Sequence, residues 1–357
     1  MATETVAAAK TCDLVCEGGG VKGIGLAGAY ATLEERGYKA AHVAGTSAGA
    51  ITAALIAAGY TAAELKEIVL ALDFRQFEDK GWEDRLPLTG IPLSLLLDQG
   101  IYEGIRFHSW LHDLLAAKGI ETFAQLRTDS DDPRYAYRLQ VIVSDISGRR
   151  LLVLPRDAGE LGLDPDLLDV SLAVRMSMSI PIFFEPVRIE DTKTNHQHVL
   201  VDGGILSNFP VWLFDVDADE TPKCPTFGLL LVEPDPKVPI SARLPVPERG
   251  KRGARGLVQL LSGIVHTMME AHDRLYVEKA QFARTIGIPT LGVGTTEFDI
   301  SRDRALALYD SGGAAASKFL ESWDFDAYVA EFRTGKEHSR RDEIAAELRD
   351  ATPAPAA

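Results

Sequence analysis

Seven short runs rich in β-branched residues and leucine recur along the chain, at 13–17, 42–45, 137–144, 150–154, 198–201, 226–232 and 290–293. Helical patterns fill the intervals: 26–36, 48–58, 62–71, and 102–117 with Phe107, Trp110, Leu111, Leu114 and Leu115 on one face. A later helix is expected over 257–283, where Leu260, Leu261, Ile264, Val265, Met268 and Met269 make an apolar stripe. Strands that alternate with helices bury both of their faces by forming a mostly parallel sheet covered by helices. The predicted fold class is therefore α/β, a three-layer α/β/α sandwich with a mostly parallel central sheet. At 357 residues and 46% hydrophobic, the chain can bury a large core. We expect one catalytic domain over 11–335, with a motif core at 13–215 and its completion at 226–335. Flexible ends are expected at 1–10 and 336–357, and the prolines and basic residues of 233–256 read as an exposed excursion.

The second run leads directly into "GTSAG", Gly45 to Gly49, and then into an alanine-rich helical pattern. Gly-x-Ser-x-Gly between a strand and a helix is the sequence form of a nucleophile elbow, which sets a serine on a sharp turn with its hydroxyl exposed. A serine nucleophile also needs donors for the developing oxyanion and a base. "EGGGVKG", Glu17 to Gly23, follows the first strand and opens a helix, so its backbone N–H groups can face a ligand unobstructed by Cβ atoms. Gly19 and Gly20, with the N–H of Ala48, are the expected donors.

Gly18, Gly20 and Gly23 also satisfy a dinucleotide-binding spacing, but the tip of the next strand, Gly45-Thr46-Ser47, lacks the carboxylate that would hold a ribose. Ile24 and Gly25 after Gly23 exclude a phosphate-binding P-loop. For the base, His196 and His198 stand at a strand edge with nothing to mark either as a base. His108 and His112 are four apart on the polar face of a helix and read as solvated, while His42, His266, His272 and His338 have no catalytic context. Asp202 is the better candidate, because it ends a strand and is followed by Gly203 and Gly204, which would hold it at the C-terminal edge of the sheet.

A net charge of -15 argues against nucleic-acid binding and against docking of the whole surface to anionic lipid. Three cysteines, Cys12, Cys16 and Cys224, form no disulfide or metal pattern. No secretory signal is read at the start, and the apolar segment 48–60 falls short of the roughly 20 residues that span a bilayer. The expected setting is cytoplasmic, with any membrane contact peripheral. Neither cofactor nor metal is expected, and the oligomeric state is left open. The apolar stretch 74–101, interrupted by Pro87, Gly90 and Pro92, reads equally as a lid over an acyl channel and as core packing.

"GGGVKG", "GTSAG" and "DGGILSNFP", in that order and with "RMSMSIPIFFEPV" at Arg175 to Val187 between the last two, resemble the patatin-like phospholipase family. Weaker similarity continues through "FDIS", Phe298 to Ser301. The resemblance implies a Ser-Asp dyad on an α/β/α sandwich that cleaves acyl esters of phospholipids or related lipids without a catalytic histidine. Carried over by residue, Ser47 is the nucleophile and Asp202 the base, while Gly18, Gly19 and Gly20 supply the oxyanion hole. Lys22 is implied as an electrostatic or structural helper of that loop, and Gly23, Gly45, Gly49, Gly203 and Gly204 as motif support. A carboxylate with an ordinary pKa near 4 is a poor base for a hydroxyl, so the site must exclude water and raise that pKa. A transacylase using the same dyad and a non-catalytic lipid-binding protein are the alternative readings.

Overall fold

The computed structural model describes residues 10–72, 93–181, 184–217, 220–233, 279–295, 297 and 299–333, with backbone alone at 93–103 and 105. Eight strands form one sheet: β1 (Lys10–Cys16), β2 (Tyr38–Thr46), β3 (Leu139–Asp145), β4 (Arg150–Leu154), β5 (Val187–Asp191), β6 (His196–Asp202), β7 (Thr226–Val232) and β8 (Thr285–Pro289). Their order is β5-β6-β3-β2-β1-β7-β8, with β4 also paired to β3. The five strands from β3 to β8 along that order run parallel, whereas β4 and β6 pair with β3 antiparallel and β5 pairs with β6 antiparallel.

Helices flank this sheet: α1 (Ile24–Glu35), α2 (Ala48–Ala57), α3 (Ala62–Ala71), α4 (Leu93–Ala117), α5 (Val170–Ser177), α6 (Lys279–Ala283), α7 (Arg302–Leu320) and α8 (Phe325–Phe332). Short polar side chains start several of them. Thr61 accepts from the Glu64 N–H while Glu64 reaches back to the Thr61 N–H, and Asp169, Ser301 and Asp324 each accept a first-turn N–H.

Alternation along the strands divides the core in two. Leu14, Cys16, Val43, Val141 and Val143 join the larger cluster beneath α1, α2, α5 and α7, whereas Val15, Ala44, Ile142 and Val153 point the other way, onto Phe209, Val211, Leu213 and Phe214. Every residue of β3 is buried, as expected of a central strand covered on both faces. Helices α1 and α7 meet through glycine: a Cβ on Gly28 would stand 1.8 Å from the Tyr309 carbonyl oxygen, and one on Gly312 would stand 1.9 Å from that of Gly25.

Two strand expectations change. No strand occupies 290–293; the eighth strand lies just before it, at Thr285–Pro289, and ends on a proline that an edge strand tolerates, β8 having no outer partner among the described residues. The outer strand β5, with the charged sequence VRIED, was not anticipated, since only its alternate residues turn inward. Helix α5 was also unforeseen, and α4 begins nine residues before its expected start at 102. Most of the expected cover at 74–101 lies outside the described residues, as do nearly all of the excursion at 233–256 and the helix at 257–283 up to Lys279.

Because backbone would have to move to admit a methyl group between α1 and α7, Gly28→Ala should cost about 1–3 kcal/mol of stability. Denaturant unfolding should report this as a lower midpoint at unchanged slope.

Candidate active site

Strand β2 ends at Thr46 and α2 starts at Ala48, so Ser47 must reverse the chain alone. It does so at φ 52° and ψ -128°, a conformation that side chains rarely adopt. The flanking glycines make the turn possible. A Cβ on Gly45 would lie 2.4 Å from the Gly49 carbonyl oxygen, and one on Gly49 would lie 2.3 Å from that of Cys16. The Ser47 N–H donates to Oγ of Ser177 at 2.8 Å, and that hydroxyl donates to the Ile142 carbonyl at 2.6 Å. One serine at the end of α5 thus ties the turn to the central strand.

Asp202 reaches the same place from the far side of β3. Thr46 is in register with Ile142, and Asp202 with Val143, so β6 stops level with the turn. Although β6 runs antiparallel to β3, it ends level with the C-terminal end of β2, so Asp202 stands at that edge of the sheet as expected, reached from the opposite chain direction. Both residues are fully buried. Oδ1 of Asp202 accepts the Gly204 N–H at 2.8 Å, and the Asp202 N–H donates to the Ser179 carbonyl at 2.9 Å. Gly203 packs so closely on β3 that a Cβ would lie 2.2 Å from the Ile142 carbonyl oxygen.

Burial pushes the Asp202 carboxyl from an ordinary 3.8 up to about 7, against the opposing pull of the Ser47 hydroxyl and the Gly204 N–H. The Ser47 hydroxyl is near enough to favour the charged carboxylate, yet Oδ2 has no partner at hydrogen-bond distance among the described residues. The hydroxyl donates instead to Sδ of Met178 at 3.7 Å. Oγ of Ser47 thus stands between a thioether sulfur and a buried carboxylate oxygen that has no hydrogen-bond partner among the described residues.

The glycine loop is anchored at its first residue. Gly18 donates its N–H to the Asn208 carbonyl at 3.1 Å and accepts from Nδ2 of Asn208 at 2.9 Å. That bond occupies the Gly18 N–H, so Gly18 cannot serve as the oxyanion donor expected of it. The N–H groups of Gly19, Gly20 and Ala48 make no backbone hydrogen bond among the described residues. Gly20 has φ +56° and passes the Thr295 carbonyl too closely for any Cβ. Gly23, which opens α1, has only an ordinary contact with Ala48. Lys22 is buried, and its Nζ pairs with Oε1 of Glu233, beyond the end of β7, at 3.3 Å.

Four of the five described histidines lie against carboxylates away from Ser47, and the fifth, His196, meets the ring of His198 edge-on at 4.6 Å. Nδ1 of His198 is 2.9 Å from the buried carboxylate of Asp145, and Nδ1 of His42 is 2.8 Å from that of Asp13. His108 and His112 both face Asp169, at 3.6 and 3.7 Å. His266, His272 and His338 lie outside the described residues. Among the described residues no group of three or more His, Cys, Asp or Glu could hold a metal ion, and no helix is long and apolar enough to cross a membrane. Sequence reasoning missed Ser177, Met178 and Asn208. All three lie inside the quoted motifs, but their partners are over a hundred residues away, and no local spacing announces such contacts.

The sequence profile of the family described as "Patatin-like phospholipase" matches this chain over residues 14–215. Protein YqhO of Bacillus subtilis is 38% identical over 315 residues, which cover 88% of this chain and 99% of that relative. Mb2594, an NTE family protein of Mycobacterium bovis, is 27% identical over 212 residues, covering 59% of this chain and 29% of its own length. Among solved structures, VipD from Legionella pneumophila is similar with a TM-score of 0.48 and 18% identity, over 88% of this chain and 67% of its own.

A carboxyl whose folded pKa lies above its unfolded value contributes stability that is complete below about 4 and is lost as the pH rises to about 7. Three pKa units at about 1.4 kcal/mol each amount to a loss on the order of 4 kcal/mol. Asp202→Asn should therefore gain stability relative to wild type across that interval, as read by denaturant unfolding at a series of pH values. A difference that stays constant with pH would contradict the raised pKa.

Proposed function

Since the chain belongs to the patatin-like phospholipase family, we propose that it is a lipid acyl hydrolase in which Ser47 and Asp202 act as a dyad. The observation that carries this reading is the pairing of a serine on a strained turn with a buried carboxylate that has a free oxygen beside it. Ser47 Oγ attacks the ester carbonyl while Asp202 Oδ2 takes the hydroxyl proton. The ester carbonyl oxygen gains the negative charge, and the N–H groups of Gly19, Gly20 and Ala48 are the donors available to it. Collapse of the tetrahedral intermediate expels the alcohol, which recovers the proton from Asp202, and leaves an acyl group on Ser47. Water, deprotonated by the same carboxylate, then releases the fatty acid.

Gly18 serves in this scheme as the anchor of the donor loop, through its paired bonds to Asn208. Lys22, with its charge balanced by Glu233, fixes the helical end of the loop. The raised pKa of Asp202 suits it to both proton transfers, because a general base works best with a pKa near the operating pH. The proposed substrate is a phospholipid or another acyl-ester lipid, approached by peripheral contact with a membrane or micelle.

Hydrolysis of phospholipids, lysophospholipids, acylglycerols and short p-nitrophenyl esters provides the test. Ser47→Ala and Asp202→Asn should each lower kcat by about 10⁴-fold or more. The rate should rise with pH through an inflection near 7 that belongs to Asp202. That inflection should survive replacement of each histidine in turn by alanine. Loss of activity in any single histidine variant as complete as in Ser47→Ala would overturn the dyad.

A further inference from the structure

Two acceptors compete for the Ser47 hydroxyl proton, and the protein holds both in place. Sδ of Met178 lies 3.7 Å from Oγ of Ser47, while Oδ2 of Asp202 has no hydrogen-bond partner among the described residues. Met178 is not an incidental neighbour. It caps the C-terminus of α5 directly after Ser177, the residue that holds the Ser47 N–H, so the sulfur is placed by the same backbone that holds the turn. Thioether sulfur is a weak acceptor, so the hydroxyl can leave it for the carboxylate at small cost.

The two described methionines of α5 and its cap differ in access. Met176 is fully buried in the main core, whereas Met178 is half-buried at the site. Methionine sulfoxide differs from methionine in the property that matters here, since its oxygen is a polar acceptor where the thioether is a feeble one.

We propose that Met178 is an oxidative modification site through which a peroxide switches off the Ser47 nucleophile. A sulfur lone pair attacks one oxygen of hydrogen peroxide. The S–O bond forms as the O–O bond breaks, and the departing hydroxide takes the proton from the oxygen now on sulfur, which leaves the sulfoxide and a water. Sulfur is oxidised by two electrons and the peroxide is reduced by two. The new sulfoxide oxygen then binds the Ser47 hydroxyl in competition with Asp202, and it sets a polar group next to the point of ester attack. Removal of the oxygen by methionine sulfoxide reductases restores the thioether and frees the hydroxyl.

This inference rests on Ser47 being the nucleophile, so the experiment begins with the untreated full-length chain and a fluorophosphonate probe. Failure of Ser47 to react there would remove both the catalytic reading and this one. Wild-type protein is then exposed to hydrogen peroxide and quenched with catalase. Sulfoxide occupancy at Met178 is measured by peptide mass spectrometry beside the rate of probe labelling. The rate should fall about tenfold at full occupancy, the size expected when a single hydrogen bond competes for the hydroxyl. It should fall in proportion to occupancy and recover after treatment with the reductases. Met178→Leu should hold its own starting rate through the same exposure. Should that variant label too slowly to measure, proportionality and recovery in the wild type decide alone. Three results would overturn the proposal while Ser47 still reacts: no oxidation at Met178, full oxidation with unchanged labelling, or loss of labelling in Met178→Leu at the wild-type pace.

Discussion

Ser47 occupies a backbone conformation that carries a penalty of about 1–3 kcal/mol, and the surrounding structure exists in large part to hold it there. The restraint comes from three directions. The glycine at 49 lets the start of α2 ride against the Cys16 carbonyl of β1, the glycine at 45 lets the same helix close over β2, and the Ser177 hydroxyl ties the turn to β3. Each uses a strand or helix of the rigid core. None depends on a surface loop. A side chain held by packed elements keeps a more constant position than one carried on a loop.

The carboxylate poses the opposite problem. Asp202 is fully buried, and among the described residues the groups that favour its charge are one backbone N–H and the Ser47 hydroxyl. A structural carboxylate at such depth is normally paired; Asp13 and Asp145, each within 3 Å of a histidine nitrogen, show the usual arrangement in the same protein. Asp202 lacks that compensation, and its high proton affinity is the result. A buried carboxylate of this kind costs stability at neutral pH, and such a cost is common at working sites.

Much of this was legible in the residue string. Glycine on both sides of Ser47, and the two glycines after Asp202, are needed for local reasons, so their spacing announced the turn and the strand end. The parallel core was also visible, because β1, β2, β3 and β7 are short continuous apolar runs. The remainder depended on contacts that local pattern does not encode. That β6 runs against its neighbour β3 and brings Asp202 to the end of β2 from the opposite direction was not legible, because its hairpin partner β5 is too charged to read as a strand. The occupied N–H of Gly18 was hidden likewise, since its acceptor, the Asn208 carbonyl, is 190 positions away in the chain. So was the sulfur under the hydroxyl.

Strand β1 at the centre of the sheet takes one neighbour, β2, from the next thirty residues and the other, β7, from beyond residue 225. A ribosome adding about 5–20 residues per second delivers β7 roughly ten to forty seconds after β1 has emerged. Throughout that interval the newborn chain exposes the unpaired amide and carbonyl row of an apolar strand, the template on which misassembly starts.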